Sequence, residues 1–210
     1  RDQALLRTLN VDILFAPPPD DMYPAGFNTY VNVGGVSERL EGAARPGHFR
    51  GVTTVVCKLF NLIRPDRAYF GQKDAQQLAV IHHMVRDLNI DVALVPCPIV
   101  REPDGLAMSS RNVYLNPAER KAATVLYRAL QAARARWEAG ERKGDALRDA
   151  MWTVLAMEPL ARVEYVSVAD ADSLQELDRV EGPALVSLAV RIGRARLIDN
   201  VMLGRPFIIE

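Results

Sequence analysis

Apolar and polar positions alternate along the chain in blocks that predict an ordered series of elements. Leu5, Leu6 and Leu9 fall on one side of a helical segment over Asp2–Asn10. The apolar run Val11–Ala16 reads as a strand, stopped by Pro17-Pro18-Pro19. Asp20–Gly26 reads as a loop, and the weak alternation of Thr29–Val33 as a short strand. Gly34–Gly47 holds four Gly and one Pro and predicts turns around a short helix at Ser37–Leu40. Val52, Val55, Val56, Leu59, Phe60 and Leu62 predict an apolar helix over Phe49–Leu62, ended by Pro65. A strand at Arg67–Phe70 follows, then a helix at Asp74–Leu88 with Leu78, Ile81, Val85 and Leu88 at helical spacing. Asp91–Val100 is almost continuously apolar and reads as a buried strand. Strand, helix and buried strand make a βαβ unit, so the sheet is expected to be parallel.

The pattern then changes. Asn116 is placed to cap, and Pro117 to begin, a long Ala/Arg-rich helix running to about Ala139, with Gly140 closing it. A second helix spans Gly144–Met157. Val163–Val168, Ala184–Val190 and Ala195–Leu203 read as strands, the last two joined by a hairpin turn at Arg191-Ile192-Gly193-Arg194. This half is α+β. The expected fold is therefore α/β, with a Rossmann-like parallel sheet in residues 1–100 and a smaller α+β domain in residues 101–210.

Composition narrows the function. The 210 residues are 49% apolar, enough for a real core, and 26 basic side chains balance 26 acidic ones. Such a chain has no broad basic field for nucleic acid or an anionic membrane, although a local cluster can still bind one phosphate ligand. No stretch approaches the roughly 20 apolar residues of a membrane span. Cys57 and Cys97 are not in a CxxC arrangement and read as buried free thiols, which makes the reducing cytoplasm the default location.

Candidate chemistry gathers in two polar motifs that each follow a strand-like segment and precede a helix-like one. In an open α/β sheet, that junction is where ligands bind. In Gly71-Gln72-Lys73-Asp74, Gly lets the backbone approach a ligand and Lys supplies a mobile charge; the alternative is a loop with a solvated Lys and a helix-capping Asp. Gln77 fits either a capping box with Asp74 or an amide that binds a polar substrate group, and Gln76 and Gln77 are not expected to face one site. Met108-Ser109-Ser110-Arg111-Asn112 can wrap a phosphate, or be an ordinary polar linker. Arg45 or His48 could reach a ligand at the head of the Phe49 helix, whereas Asp199-Asn200 reads as a turn rather than a site. There is no Walker A motif, GxGxxG fingerprint or metal-ligand spacing of His and Cys, and no local His-Asp set beside Ser109 and Ser110. Charge placement without a nucleophile fits transfer at phosphorus.

These blocks resemble the pantothenate synthetase (pantoate–β-alanine ligase) family over essentially the whole chain. The resemblance rests on Met22-Tyr23-Pro24, Arg45–Val52, Arg64–Arg67, Phe70–Leu78, Val100–Glu102, Gly105–Asn112 and Leu197–Asn200, with Gln72 where the family usually has Glu. It implies an adenylating ligase of the nucleotidyltransferase superfamily, which turns ATP and pantoate into pantoyl adenylate and then joins it to β-alanine, with Mg²⁺ accompanying the ATP. Carried over by position, Gly71, Gln72, Lys73 and Asp74 would hold the nucleotide together with Met108, Ser109, Ser110 and Arg111, which resemble a KMSKS-type loop. Lys73, Ser109, Ser110 and Arg111 would stabilise charge on the transferring phosphate, and Val100 would meet adenine through its backbone. Gln77 would bind pantoate, Arg45 would serve the phosphate side of the substrate site, and Asp2 would serve Mg²⁺. A homodimer is implied.

The family's HxGH-type motif does not occur in residues 1–210. Such donors are typically worth about 3–4 kcal/mol each, so this chain alone is expected to be slower by roughly four or more orders of magnitude. The alternatives are a non-catalytic nucleotide-binding or dimerising module, and a different adenylyl-transferring enzyme.

Overall fold

The computed structural model describes residues 2–204, which fall into two compact units, up to Tyr30 and from Val31. The first unit holds α1 (Asp2–Thr8) and the single turn α2 (Pro19–Met22), which has Pro at its first position. Tyr23, Phe27 and Tyr30 stack edge to face at 5.1 and 5.7 Å. The strand expected at Val11–Ala16 does not form: the segment is extended, and Ile13, Leu14 and Phe15 are exposed. The apolar pattern is there, but a strand is defined by a partner ladder, and its own unit offers none.

The strand expected at Thr29–Val33, which runs across the division after Tyr30, is also absent. In the second unit the backbone of Val31 is satisfied by threonine side chains, since Val31 N donates to Thr54 Oγ1 at 3.0 Å and Thr53 Oγ1 donates to Val31 O at 2.6 Å. The short helix lies a few residues later than expected, as α3 (Leu40–Ala44). Next come α4 (His48–Ile63), β1 (Arg67–Gly71), a 3₁₀ turn at Gln72–Asp74, α5 (Ala75–Asp87) and β2 (Ala93–Cys97). β1 and β2 pair in parallel from Arg67↔Ala93 to Gly71↔Cys97, as the βαβ reading requires. β2 is shorter than the apolar run Asp91–Val100 because β1 has only five residues to pair with it. Phe60, Ile81, Met84 and Leu94 form the core under this pair.

The remaining elements are α6 (Pro117–Ala122), α7 (Val125–Glu138), α8 (Gly144–Leu155), β3 (Ala161–Asp170), β4 (Ala184–Ile192) and β5 (Ala195–Leu203). β3, β4 and β5 form an antiparallel sheet in that order. α7 and α8 cover one face, where Leu126, Leu130, Leu147 and Met151 meet Val186, Leu188 and Val190. From the other face Leu185 packs with Ala75, Ala79 and Val80 of α5, so β4 is buried on both sides. This contact brings the start of α5 against the sheet and places the site.

The single helix expected over 117–139 is broken at Ala123–Thr124, where Thr124 Oγ1 donates back to Lys121 O at 2.9 Å and the bonding shifts to i−3 partners. Asn116 caps α6 as expected: its Oδ1 accepts from Glu119 N at 2.9 Å, and Glu119 Oε2 accepts from Asn116 N at 2.9 Å. Asn116→Ala should lower stability by about 1 kcal/mol, read as a reduced urea midpoint with an unchanged slope. The β4–β5 hairpin turns at Gly193, whose φ is +54° and whose hypothetical Cβ would lie 2.1 Å from the Glu119 carboxylate. The left-handed turn is what favours Gly there. Among the described residues no helix is long and apolar enough to cross a membrane.

Candidate active site

The site is assembled where β1 ends. Gly71 closes the strand, the 3₁₀ turn carries Lys73 and Asp74, and α5 starts immediately after. Ligands in open α/β sheets bind outside the carboxyl ends of the strands. Lys73 and Asp74 line a cavity of ≈ 70 Å³ together with Arg45, His48, Gln77 and Arg111. Glu41 of α3, Tyr165 of β3, Ser187 of β4 and Ile198, Asp199 and Asn200 of β5 complete its wall. The two sequence motifs therefore converge. Lys73 and Arg111 meet again, with Ser109, in a smaller cavity of ≈ 10 Å³ beside Leu197–Asp199.

The charges around this cavity divide into committed and uncommitted groups. Glu41 is buried and accepts from Arg196 at 2.6 and 2.7 Å and from the Tyr165 hydroxyl at 3.0 Å. Hydrogen bonding to Glu41 pushes the Arg196 guanidinium further up, against its burial. Burial, followed by the Glu41 charge, pushes the Tyr165 phenol well above its ordinary value, so it stays a neutral donor. Asp199 is buried and accepts from Arg101 at 2.6 and 2.9 Å. With those carboxylates engaged, Lys73, Arg45 and Arg111 face the cavity, and Asp74 is the acid that remains beside them. Burial, and then the adjacent Arg45 charge, lowers the His48 pKa. Its imidazole is therefore neutral at pH 7 and contacts Arg45 Nη1 at 3.2 Å. The balance suits an anionic ligand.

The remaining expected residues are distributed unevenly. Ser109 caps the 3₁₀ turn Ser110–Tyr114, its Oγ accepting from Arg111 N at 3.2 Å, which holds Arg111 in place. Ser110, Met108, Val100 and Gly71 are exposed and line neither of these cavities. Gln72 faces a separate cavity of ≈ 420 Å³ with Arg101 and Tyr127. The side chain of Asp2 lies outside the described residues. Asp74 makes no capping bond, so the capping-box reading of Asp74 and Gln77 does not hold.

Gln76 and Gln77 both line the cavity that holds Lys73 and Arg111, contrary to the expectation from their adjacency. Gln76 does so as a buried structural tie: it accepts from Glu41 N at 2.9 Å and donates to Val36 O and Arg39 O at 2.9 and 2.7 Å. Asp199 and Asn200 are not a turn. They sit buried within β5, opposite Leu188 and Ser187. A consecutive Asp-Asn inside the otherwise apolar run Ile198–Leu203 was the signal available for them. Among the described residues no group of three or more His, Cys, Asp or Glu comes together as a metal cage.

Known proteins resemble this chain in sequence and in fold. The family model for pantoate–β-alanine ligase matches residues 1–202. A pantothenate synthetase from Roseiflexus castenholzii is 66% identical over 203 residues, covering 97% of this chain and 73% of that protein. One from Chloroflexus aggregans is 62% identical over 205 residues, covering 97% and 74%. The crystal structure of pantothenate synthetase from Thermus thermophilus superposes with a TM-score of 0.91 at 49% identity, covering 95% of this chain and 72% of that one. A pantoate–β-alanine ligase from Francisella tularensis, complexed with beta-gamma ATP and β-alanine, superposes at 0.72 with 32% identity, covering 96% and 68%. With a matched family model along nearly its whole length and relatives at this identity, the chain belongs to the pantoate–β-alanine ligase family.

Proposed function

We propose that this chain carries the ATP-dependent condensation of pantoate with β-alanine. In the first step a pantoate carboxylate oxygen attacks the α-phosphorus of ATP, forming pantoyl adenylate and expelling pyrophosphate. In the second, the β-alanine amine attacks the acyl carbon, forming the amide of pantothenate and expelling AMP with loss of the amine proton. The observation that carries the reading is the meeting of Lys73 and Arg111, from two motifs 38 positions apart in sequence, in one cavity with Gln77.

Lys73 and Arg111 neutralise charge as it develops on the transferring phosphate, and the Ser109 hydroxyl, beside them in the smaller cavity, donates to it. Gly71–Asp74 and Met108–Arg111 hold the nucleotide, with Val100 meeting adenine through its backbone. Gln77 binds pantoate and Arg45 serves the phosphate side. Within the unit from Val31, the end of β1 and the start of α5 supply the nucleotide wall, and the half that follows Val100 covers it. Mg²⁺ would accompany ATP and offset its phosphate charge, with Asp2 as the residue to serve it.

The test is production of AMP and pantothenate by the natively expressed protein from ATP, pantoate and β-alanine. Omission of β-alanine should abolish pantothenate while leaving pantoate-dependent pyrophosphate release. A protein that forms no AMP in the complete mixture overturns the reading.

A further inference from the structure

The Lys73 turn is held from outside. Asp74 gives it no capping bond, but Asn200, 3% exposed, donates from Nδ2 to both Gln72 O and Lys73 O at 3.0 Å. Two consecutive carbonyls are thus pinned by one amide, and only the NH₂ end of that amide can donate. Asn200 is itself fixed on both sides: its N–H donates to Asp199 Oδ1 at 2.8 Å, and its C=O accepts from Arg101 Nη2 at 3.3 Å. Arg101 also donates to Gly105 O at 3.0 Å, and it pairs with Ala107 in a β-bridge one residue before the Met108–Arg111 segment. One buried point on β5 therefore ties down the backbone of Lys73 and the loop that leads to Arg111.

We propose that Asn200 is a positioning residue that sets the Lys73 ammonium in register with Arg111, an inference that rests on the ligase reading of the cavity. It touches no reacting atom in this role. It acts through Lys73, whose direction is fixed by the two peptide planes that Asn200 holds. Misplacing a catalytic group by about 1 Å can cost about 100-fold in rate.

A double-mutant cycle separates positioning from general support of the fold. Asn200→Ala should lower kcat for AMP formation by about 10- to 100-fold, with the KM for β-alanine little changed. In a Lys73→Ala background, where there is no ammonium left to position, the same substitution should cost no more than about twofold. Hydrogen exchange of the backbone amides of residues 72–75 should speed up in Asn200→Ala. Asn200→Leu keeps the side chain's shape without its donor and carries the same test if the alanine variant does not fold. A folded variant with undiminished kcat, or equal losses in both backgrounds, overturns the proposal. If the unmutated protein forms no AMP, the ligase reading is what fails, and exchange then decides: unchanged exchange at residues 72–75 refutes the tie itself.

Discussion

Lys73→Ala should lower kcat for pantoate-dependent pyrophosphate release by about 100- to 1000-fold, or roughly 3–4 kcal/mol of transition-state stabilisation. The expectation follows from what the ammonium does not do in the folded chain. Among the described residues it makes no side-chain hydrogen bond and no ion pair, and its charge reaches Asp199 only through space. It lines both cavities where the two motifs meet. A lysine committed to the fold would lose stability on truncation, whereas this one should change it by less than about 0.5 kcal/mol. Steady-state kinetics together with urea unfolding measure both effects. A kcat within threefold of the unmutated protein, with folding intact, would mean that Lys73 is only a solvated loop residue. If KM for ATP rises while kcat holds, Lys73 binds ground state and transition state equally.

Much of this architecture was legible because it rests on local rules. The βαβ unit follows from two apolar strands around a helix of clear period, and the hairpin from an Arg-Gly turn between two apolar strands. The α6 cap follows from Asn116 and Pro117. What local pattern could not supply was the identity of partners. Val11–Ala16 has strand composition, but composition does not provide a neighbouring ladder. Val31 has its backbone satisfied by Thr53 and Thr54, more than 20 positions away in sequence. The long helix breaks at Thr124 because one hydroxyl competes for a backbone carbonyl.

The site divides along the same line. Gly71–Asp74 and Met108–Arg111 stood out because small, hydroxylic and cationic residues follow apolar segments. That Lys73 and Arg111 converge depends on β4 packing Leu185 against α5, a contact that joins the two halves of the chain. By local pattern alone the polar pair Asp199-Asn200 reads as a turn, since polar pairs usually are one. In the fold they lie in the middle of a strand, and burial gives them a different meaning: a polar pair kept inside a sheet must have partners, and here the partners are Arg101 and the carbonyls of Gln72 and Lys73. Glu41 was likewise hidden among the turns before α4, since its partners Arg196 and Tyr165 lie more than 120 positions away.

The Arg101–Asp199 pair carries the largest expected effect on stability. Arg101→Ala should destabilise the fold by about 3–5 kcal/mol at neutral pH, because it leaves a buried carboxylate without its counter-charge. Asp199 would keep only the Asn200 N–H at 2.8 Å and the distant charge of Lys73. The variant would also lose the Arg101 guanidinium stacked 4.5 Å from the centre of the Tyr127 ring and bonded to Gly105 O. The loss should depend on pH in a defined sense. Burial pushes the Asp199 carboxyl above its ordinary value even with Arg101 pulling it down, and removing Arg101 raises it further. A carboxyl whose folded pKa lies above its unfolded one binds its proton more tightly in the folded state. Its burial is then tolerated best at acidic pH, and stability falls as pH rises from the unfolded value through the folded one. The gap between Arg101→Ala and the unmutated protein should therefore be small near pH 4 and widen towards pH 7, as read from urea midpoints across that range. Adding Asp199→Asn to the variant removes the titrating group and should flatten the profile. A gap that is the same at both ends of the range, or one below about 1 kcal/mol at pH 7, would show that Arg101 supports the turn by packing and that the charge pair adds little.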